Sequence, residues 1–360
     1  MKKSFKTLSF ITTILLSLVI SLQGCSSSKD ENSKETSATR TITDSSGRNV
    51  DIPTNITRAF GANPMSSILL YTAAPDTMIG WNTQLPNIDL LPDKYKSLPN
   101  LGSIETQKEG GNVEEVIKAD PQIILLAKTE LNDKAKESAD TLSEKTGKPV
   151  IIIDGSLNGY ENTYKLLGDI FNKSARADEL INYYKALKSS SLNIANTIDD
   201  SQKLNVYYGR SSDGLETGGK KSAHTLLLEM VGAKNPFNSL ESVNTSKISI
   251  EELMSKDIDV ILLSETNEDE KDIGNTIKSN PQWANIKAVQ NSRVYVIPQL
   301  VFSWFDRPPT INQLVGIKWL QSVLYPEKYN IDINKEVKEF YKLFYYIDLS
   351  DDKLNEVLKQ

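Results

Sequence analysis

Few residues of this 360-residue chain carry chemistry beyond charge and hydrogen bonding: it has one cysteine, Cys25, and one histidine, His224. One thiol cannot close a disulfide within the chain or hold an iron–sulfur cluster. One imidazole falls short of a zinc site, which takes several ligands at paired spacings such as HExxH, and no GxSxG elbow offers it a serine to activate. Redox, zinc and serine-hydrolase chemistry are thereby set aside. The expectation is a protein that is not an enzyme and keeps no cofactor or metal of its own. The remaining patterned groups are two Glu-Glu doublets, Glu114-Glu115 and Glu251-Glu252, spaced 251 − 114 = 137 residues apart.

The surroundings of Cys25 say what its sulfur is for. Lys2, Lys3 and Lys6 make a cationic start, and Leu8 to Leu22 follow without a charge. Such a run is shorter than the ~20 apolar residues of a bilayer crossing and reads as a secretory leader. Leu22-Gln23-Gly24-Cys25 resembles the lipobox of bacterial lipoproteins, which implies that residues 1–24 are removed and that Cys25 is lipidated. From Ser26 to Thr39 nearly every residue is polar, too little apolar area to offset the entropy of ordering. Residues 25–40 therefore read as a tether, reaching on the order of 20 Å as a flexible coil. The chain carries a net charge of −6, and removing three leader lysines leaves −6 − 3 = −9, which argues against nucleic acid as a partner.

The elements that must position the rest come in two copies. Gly111 to Ala127 (GNVEEVIKADPQIILLA) aligns with Ile248 to Ser264 (ISIEELMSKDIDVILLS) at the same offset. Each copy predicts a short helix, with Glu-Glu at the positive end of its dipole, and then an unbroken Ile/Val/Leu strand of the kind buried on both faces. A second buried strand follows each copy, KPVIIID (148–154) and SRVYVIP (292–298), and a strand and helix precede each. This alternation predicts parallel sheets covered by helices, an α/β fold of two Rossmann-like lobes. TITDSSGRNVDIP (41–53) predicts a hairpin opening the first lobe. Between the lobes, residues 162–198 lack proline and repeat apolar residues at helical spacing, predicting a single long rigid α-helix. The resulting organisation is an N-terminal lobe over 41–161, a connecting helix over 162–198, and a C-terminal lobe over 199–360, with a ligand cleft between lobes. Such sheets bind ligands at the carboxyl ends of their strands.

With these parts in place the sequence resembles the class III, helical-backbone solute-binding lipoproteins of ABC importers, the group that captures ferric siderophores, haem or cobalamin. The resemblance implies an extracytoplasmic, lipid-anchored, monomeric receptor that passes its cargo to an ABC permease and its ATPase in the cytoplasmic membrane. It implies permease docking by Glu114 and Glu251, one on each lobe. The cargo it implies is an iron complex, with a ferric siderophore first and molybdate or tungstate, cobalamin and haem as alternatives. A surface adhesin without a transport role is the rival from another class. An anionic, flat-faced chelate asks for cationic groups and aromatic faces. Positions following the strands supply Trp81, Tyr208, Arg210, His224, Trp304 and Arg307 as ligand-binding candidates, beside Asn63, Met65, Lys220 and Lys221.

Overall fold

The computed structural model describes residues 38–105, 113–265 and 271–358. Cys25, the leader and the tether up to residue 37 lie outside the described residues. The hairpin forms as β1 (Thr39–Thr43) and β2 (Asn49–Pro53), paired antiparallel from Thr39 opposite Pro53 to Thr43 opposite Asn49. Its first strand starts two residues before the expected lobe boundary. Arg40 already belongs to the folded body, where it pairs with Asp169 at 2.8 Å.

The first lobe is built on β3 (Ala59–Gly61), β4 (Ile123–Lys128) and β5 (Val150–Asp154), parallel and in the order β3-β4-β5. Its helices are α1 (Pro64–Ala73), α2 (Asp93–Lys96), α3 (Val113–Lys118) and α4 (Asp133–Thr146). The helical stretch expected over 162–198 is two helices, α5 (Tyr160–Ile170) and α6 (Ser174–Ala195). Asn172, in the left-handed region at φ 54°, turns the chain between them. Gly168 lets them close together, because a Cβ there would stand 2.6 Å from the Cβ of Ala177. The rod joining the lobes is α6 alone, 22 residues or about 33 Å at 1.5 Å per residue. Near its start Arg176 Nε donates to Thr72 O of α1 at 3.1 Å, and near its end Ser191 Oγ donates to Met230 O at 2.5 Å.

The second lobe repeats the plan with β6 (Val206–Gly209), β9 (Val260–Leu263) and β10 (Val294–Val296), parallel in the order β10-β9-β6. Between β6 and β9 the chain adds the antiparallel pair β7 (Glu216–Gly218) and β8 (Thr245–Lys247), enclosing α7 (Leu226–Met230), and then α8 (Ile250–Met254). Helices α9 (Ile273–Ser279) and α10 (Lys287–Gln290) lead to β10, and a small hairpin of β11 (Gln299–Leu300) and β12 (Phe302–Ser303) follows it. The chain finishes with α11 (Gln313–Leu324), α12 (Pro326–Tyr329), α13 (Ile333–Tyr345) and α14 (Asp351–Leu358).

The alternation of strand side chains sorts the interior into layers. Ile123, Leu125 and Ala127 of β4 and Val260 and Leu262 of β9 all join one core shared by both lobes and packed on α5, α6, α11 and α13. Their alternates, Ile124 and Leu126 in the first lobe and Ile261 and Leu263 in the second, face a separate outer core in each lobe. Both sheets are thus buried on both faces, as their unbroken apolar runs require.

Candidate functional site

The loops leaving the carboxyl ends of the strands meet around a cavity of about 470 Å³, walled by Asn63 to Met65, Glu105, Thr129, Glu130 and Gly155 to Leu157 from the first lobe. The second lobe supplies Lys220 to His224, Leu226, Val243, Asn244, Pro308, Pro309 and Gln313.

Asn63 is placed by the start of α1, where its side chain accepts from Ser66 N at 2.9 Å and Ser66 Oγ accepts from Asn63 N at 3.0 Å. The amide nitrogen is then free to donate to Glu105 Oε2 at 2.6 Å and Ala127 O at 2.8 Å, which ties this wall to the end of β4. Glu105 is also neutralised by Lys128. Opposite, Gly218 to His224 form a tight loop. A Cβ on Gly219 would stand 2.0 Å from Leu240 O, so only glycine fits. Asn235 Nδ2 donates to Gly218 O at 2.8 Å, and Thr225 Oγ1 donates to Gly219 O at 2.7 Å. Lys221 pairs with Glu241 at 2.5 Å, whereas Lys220 has no ion-pair partner among the described residues.

His224 is held from behind. Its Nδ1 bonds to Asp306 Oδ2, and Tyr208 donates its hydroxyl to the same oxygen. The Tyr208 and His224 rings stack with centroids 5.9 Å apart. Asp306 and Tyr208 are fully buried. Burial, and then the adjacent Asp306 carboxylate, raise the Tyr208 hydroxyl well above its usual range, so it keeps its proton and serves as a donor. With Nδ1 engaged, Nε2 is the ring nitrogen left to the cavity. A carboxylate fixing one nitrogen so that the other can bind is the usual support for an imidazole that ligates a metal.

The other expected ligand residues divide. Trp81 does not reach the cavity: it is 2% exposed, its ring lies 5.2 Å from Tyr71, and its indole N–H donates to Tyr95 O at 2.9 Å. Trp304 is likewise sealed in the shared core and donates to Tyr341 Oη at 2.8 Å. Both indoles had a hydrogen-bond partner in the interior, which removes the penalty that would keep them at a wet surface. Tyr208 stands one layer behind the wall. Arg210 lies beside Glu216, Nε 3.6 Å from Oε2, and is not a wall residue. Arg307 adopts the left-handed φ of 63°, and its neighbours Pro308 and Pro309, not Arg307 itself, line the cavity. Asn63, Met65, Lys220, Lys221 and His224 do meet there. Thr129, Glu130, Gly155 and Ser156 were missed although they directly follow β4 and β5, and Asp306 lay unmarked in the same loop as Trp304.

The repeated helices stand apart from this cavity. Glu114 and Glu251 are exposed, each in the first turn of its helix, α3 or α8. Ser249 caps α8 by accepting from Glu252 N at 3.0 Å.

Residues 86–300 match the family model of the periplasmic binding proteins. The chain belongs to that family. As in class III periplasmic binding proteins generally, two α/β lobes enclose the site, and the protein is a solute-binding receptor of an ABC importer, working outside the cytoplasm and not an enzyme. An ABC transporter solute-binding protein from Sulfurospirillum deleyianum superposes with a TM-score of 0.78 at 28% identity, over 89% of this chain and 99% of that one. The molybdate-binding protein MolA of Haemophilus influenzae is 23% identical over 88% of this chain and 93% of its own. The high-affinity heme uptake system protein IsdE of Staphylococcus aureus is 26% identical over 71% of this chain and 77% of its own.

Proposed function

We propose that this binding protein captures a ferric chelate of the siderophore type in the interlobe cleft and hands it to a permease that it engages through Glu114 and Glu251. The observation that carries the cargo assignment is the cavity: about 470 Å³, with Lys220, which has no ion-pair partner among the described residues, and His224, whose Nδ1 is taken by Asp306, on its wall. That volume falls in the range of sites for drug-sized ligands, roughly 300–1,000 Å³. A lysine supplies charge for an anionic complex, and an imidazole can fill an open position on its metal. Cys25, lipidated, would hold the receptor at the membrane. Cys25→Ser should then shift the protein from the membrane fraction to the medium or periplasm, and retention of the variant in the membrane would remove the anchor.

The likeness to MolA supports a second reading, a tetrahedral oxyanion such as molybdate or tungstate. The two separate in a calorimetric titration of the protein with ferric catecholate and hydroxamate chelates, haem, cobalamin, molybdate and tungstate. Saturable sub-micromolar binding of one ferric chelate is the expected result. Heat from the oxyanions alone would overturn the cargo and keep the receptor.

A further inference from the structure

We infer that Ile117 and Met254 are the apolar anchors of a docking surface presented by both lobes to a two-fold symmetric membrane partner, the permease of the importer. The inference rests on the proposed docking by Glu114 and Glu251 and adds residues to it. Four large apolar side chains are exposed among the described residues: Ile117 at 41%, Val243 at 52%, Met254 at 46% and Tyr346 at 39%. Single exposed apolar residues are ordinary. Two of these four, however, occupy the same place in the internal repeat, 254 − 117 = 137, the offset that also relates the glutamates.

The local geometry joins them. In each helix the preceding residue, Val116 or Leu253, is fully buried, which seats the helix and leaves the next side chain outward. Residues three apart share a helix face. Ile117 therefore neighbours Glu114, and Met254 neighbours Glu251. Arg58, just before β3, donates to Ala119 O and to Asp120 O at 3.0 Å, tying the carboxyl end of α3 to the amino end of the first sheet. In the second lobe the chain passes from α8 to Asp259, just before β9, and Asp259 N donates to Asn205 O before β6 at 2.9 Å. Val116 shares the outer core of the first lobe with Ile124 and Leu126 of β4, and Leu253 that of the second with Ile261 and Leu263 of β9. Each helix therefore lies on its sheet and leads back to the start of the next strand, which puts its glutamate toward the end from which the cleft loops leave.

Each lobe accordingly displays one carboxylate with one large apolar side chain a turn behind it. Two like displays call for a partner with two like receptors, each a basic group at the rim of an apolar depression. The charges steer the encounter and make it sensitive to salt, while the apolar contact slows departure.

The test uses the full-length chain in its own cells, deleted for the native gene and complemented with variants, with uptake of radio-labelled iron from a ferric catecholate as the readout. Wild type must restore uptake; if it does not, the iron-receptor reading itself fails, whatever the anchors do. Given restoration, the double variant Ile117→Ser, Met254→Ser is expected to lower uptake about tenfold or more, with chelate affinity unchanged and the salt dependence of uptake retained. Glu114→Gln with Glu251→Gln should instead flatten the salt dependence. Leucine at both anchor positions should keep uptake near wild type. Normal uptake by the serine variant, or a matching loss of chelate affinity, would overturn the inference. So would a dimer of the full-length chain in sedimentation that the serine substitutions dissociate, since that assigns the face to a second copy of this chain.

Discussion

At His224, a residue of the cavity wall, Nδ1 is held by the buried Asp306, which leaves Nε2 as the ring nitrogen available to a ligand. Removing the ring by His224→Ala should weaken ferric-chelate binding by at least about tenfold, and Asp306→Asn, which leaves the ring but loosens its support, by a comparable factor of roughly 10–100. Titration of both variants checks this, and unchanged affinity in His224→Ala would return the residue to a packing role. The same residues show how far the sequence could be read. A histidine after a glycine-rich loop was legible as a candidate because strand ends feed the cleft. Whether Trp81 and Trp304 lined the wall or stood behind it was not, since a buried partner for each indole N–H comes only from distant residues, Tyr95 and Tyr341. Asp306 was equally hidden, because nothing local marks a carboxylate that will be fully enclosed and shared by Tyr208 and His224.

Among the elements, the strands were the most legible. The offset of 137 residues relates the start of α3 to that of α8 (113 and 250), and Ile261 to Leu263 in β9 repeat Ile124 to Leu126 in β4. The connecting segment was legible as helix but not as two helices, because its apolar spacing runs through the break and only the three-dimensional contact of Gly168 with Ala177 shows that α5 folds back on α6. Gly168→Ala therefore places a methyl 2.6 Å from the Ala177 Cβ and should destabilise the protein by about 1–3 kcal/mol through overpacking. Urea unfolding measures this, and a midpoint equal to wild type would show that the helix pair yields without strain.

On the scale of the whole molecule, one core threads both lobes and is rich in tyrosine. Burial raises the hydroxyls of Tyr208, Tyr341 and Tyr345 above the ordinary 10.0, and takes that of Tyr329 up to about 12. A raised folded value means that the unfolded chain releases these protons first. Their contribution to stability is full below pH ~10 and declines as pH climbs through the folded values. Urea midpoints should hold level between pH ~8 and ~9.5 and fall above pH ~10. A midpoint that stays level to pH ~12 would contradict the burial of these hydroxyls.

The shared core also has a mechanical consequence. Because β4 and β9 contribute to one core and α6 is bonded to α1 near one end and α7 near the other, the lobes cannot swing wide without opening the interior to water. Capture then requires little reorganisation, and letting go is the hard step: under the proposed docking, the force that parts the walls is supplied from outside, through the surfaces by which the two lobes hold their partner.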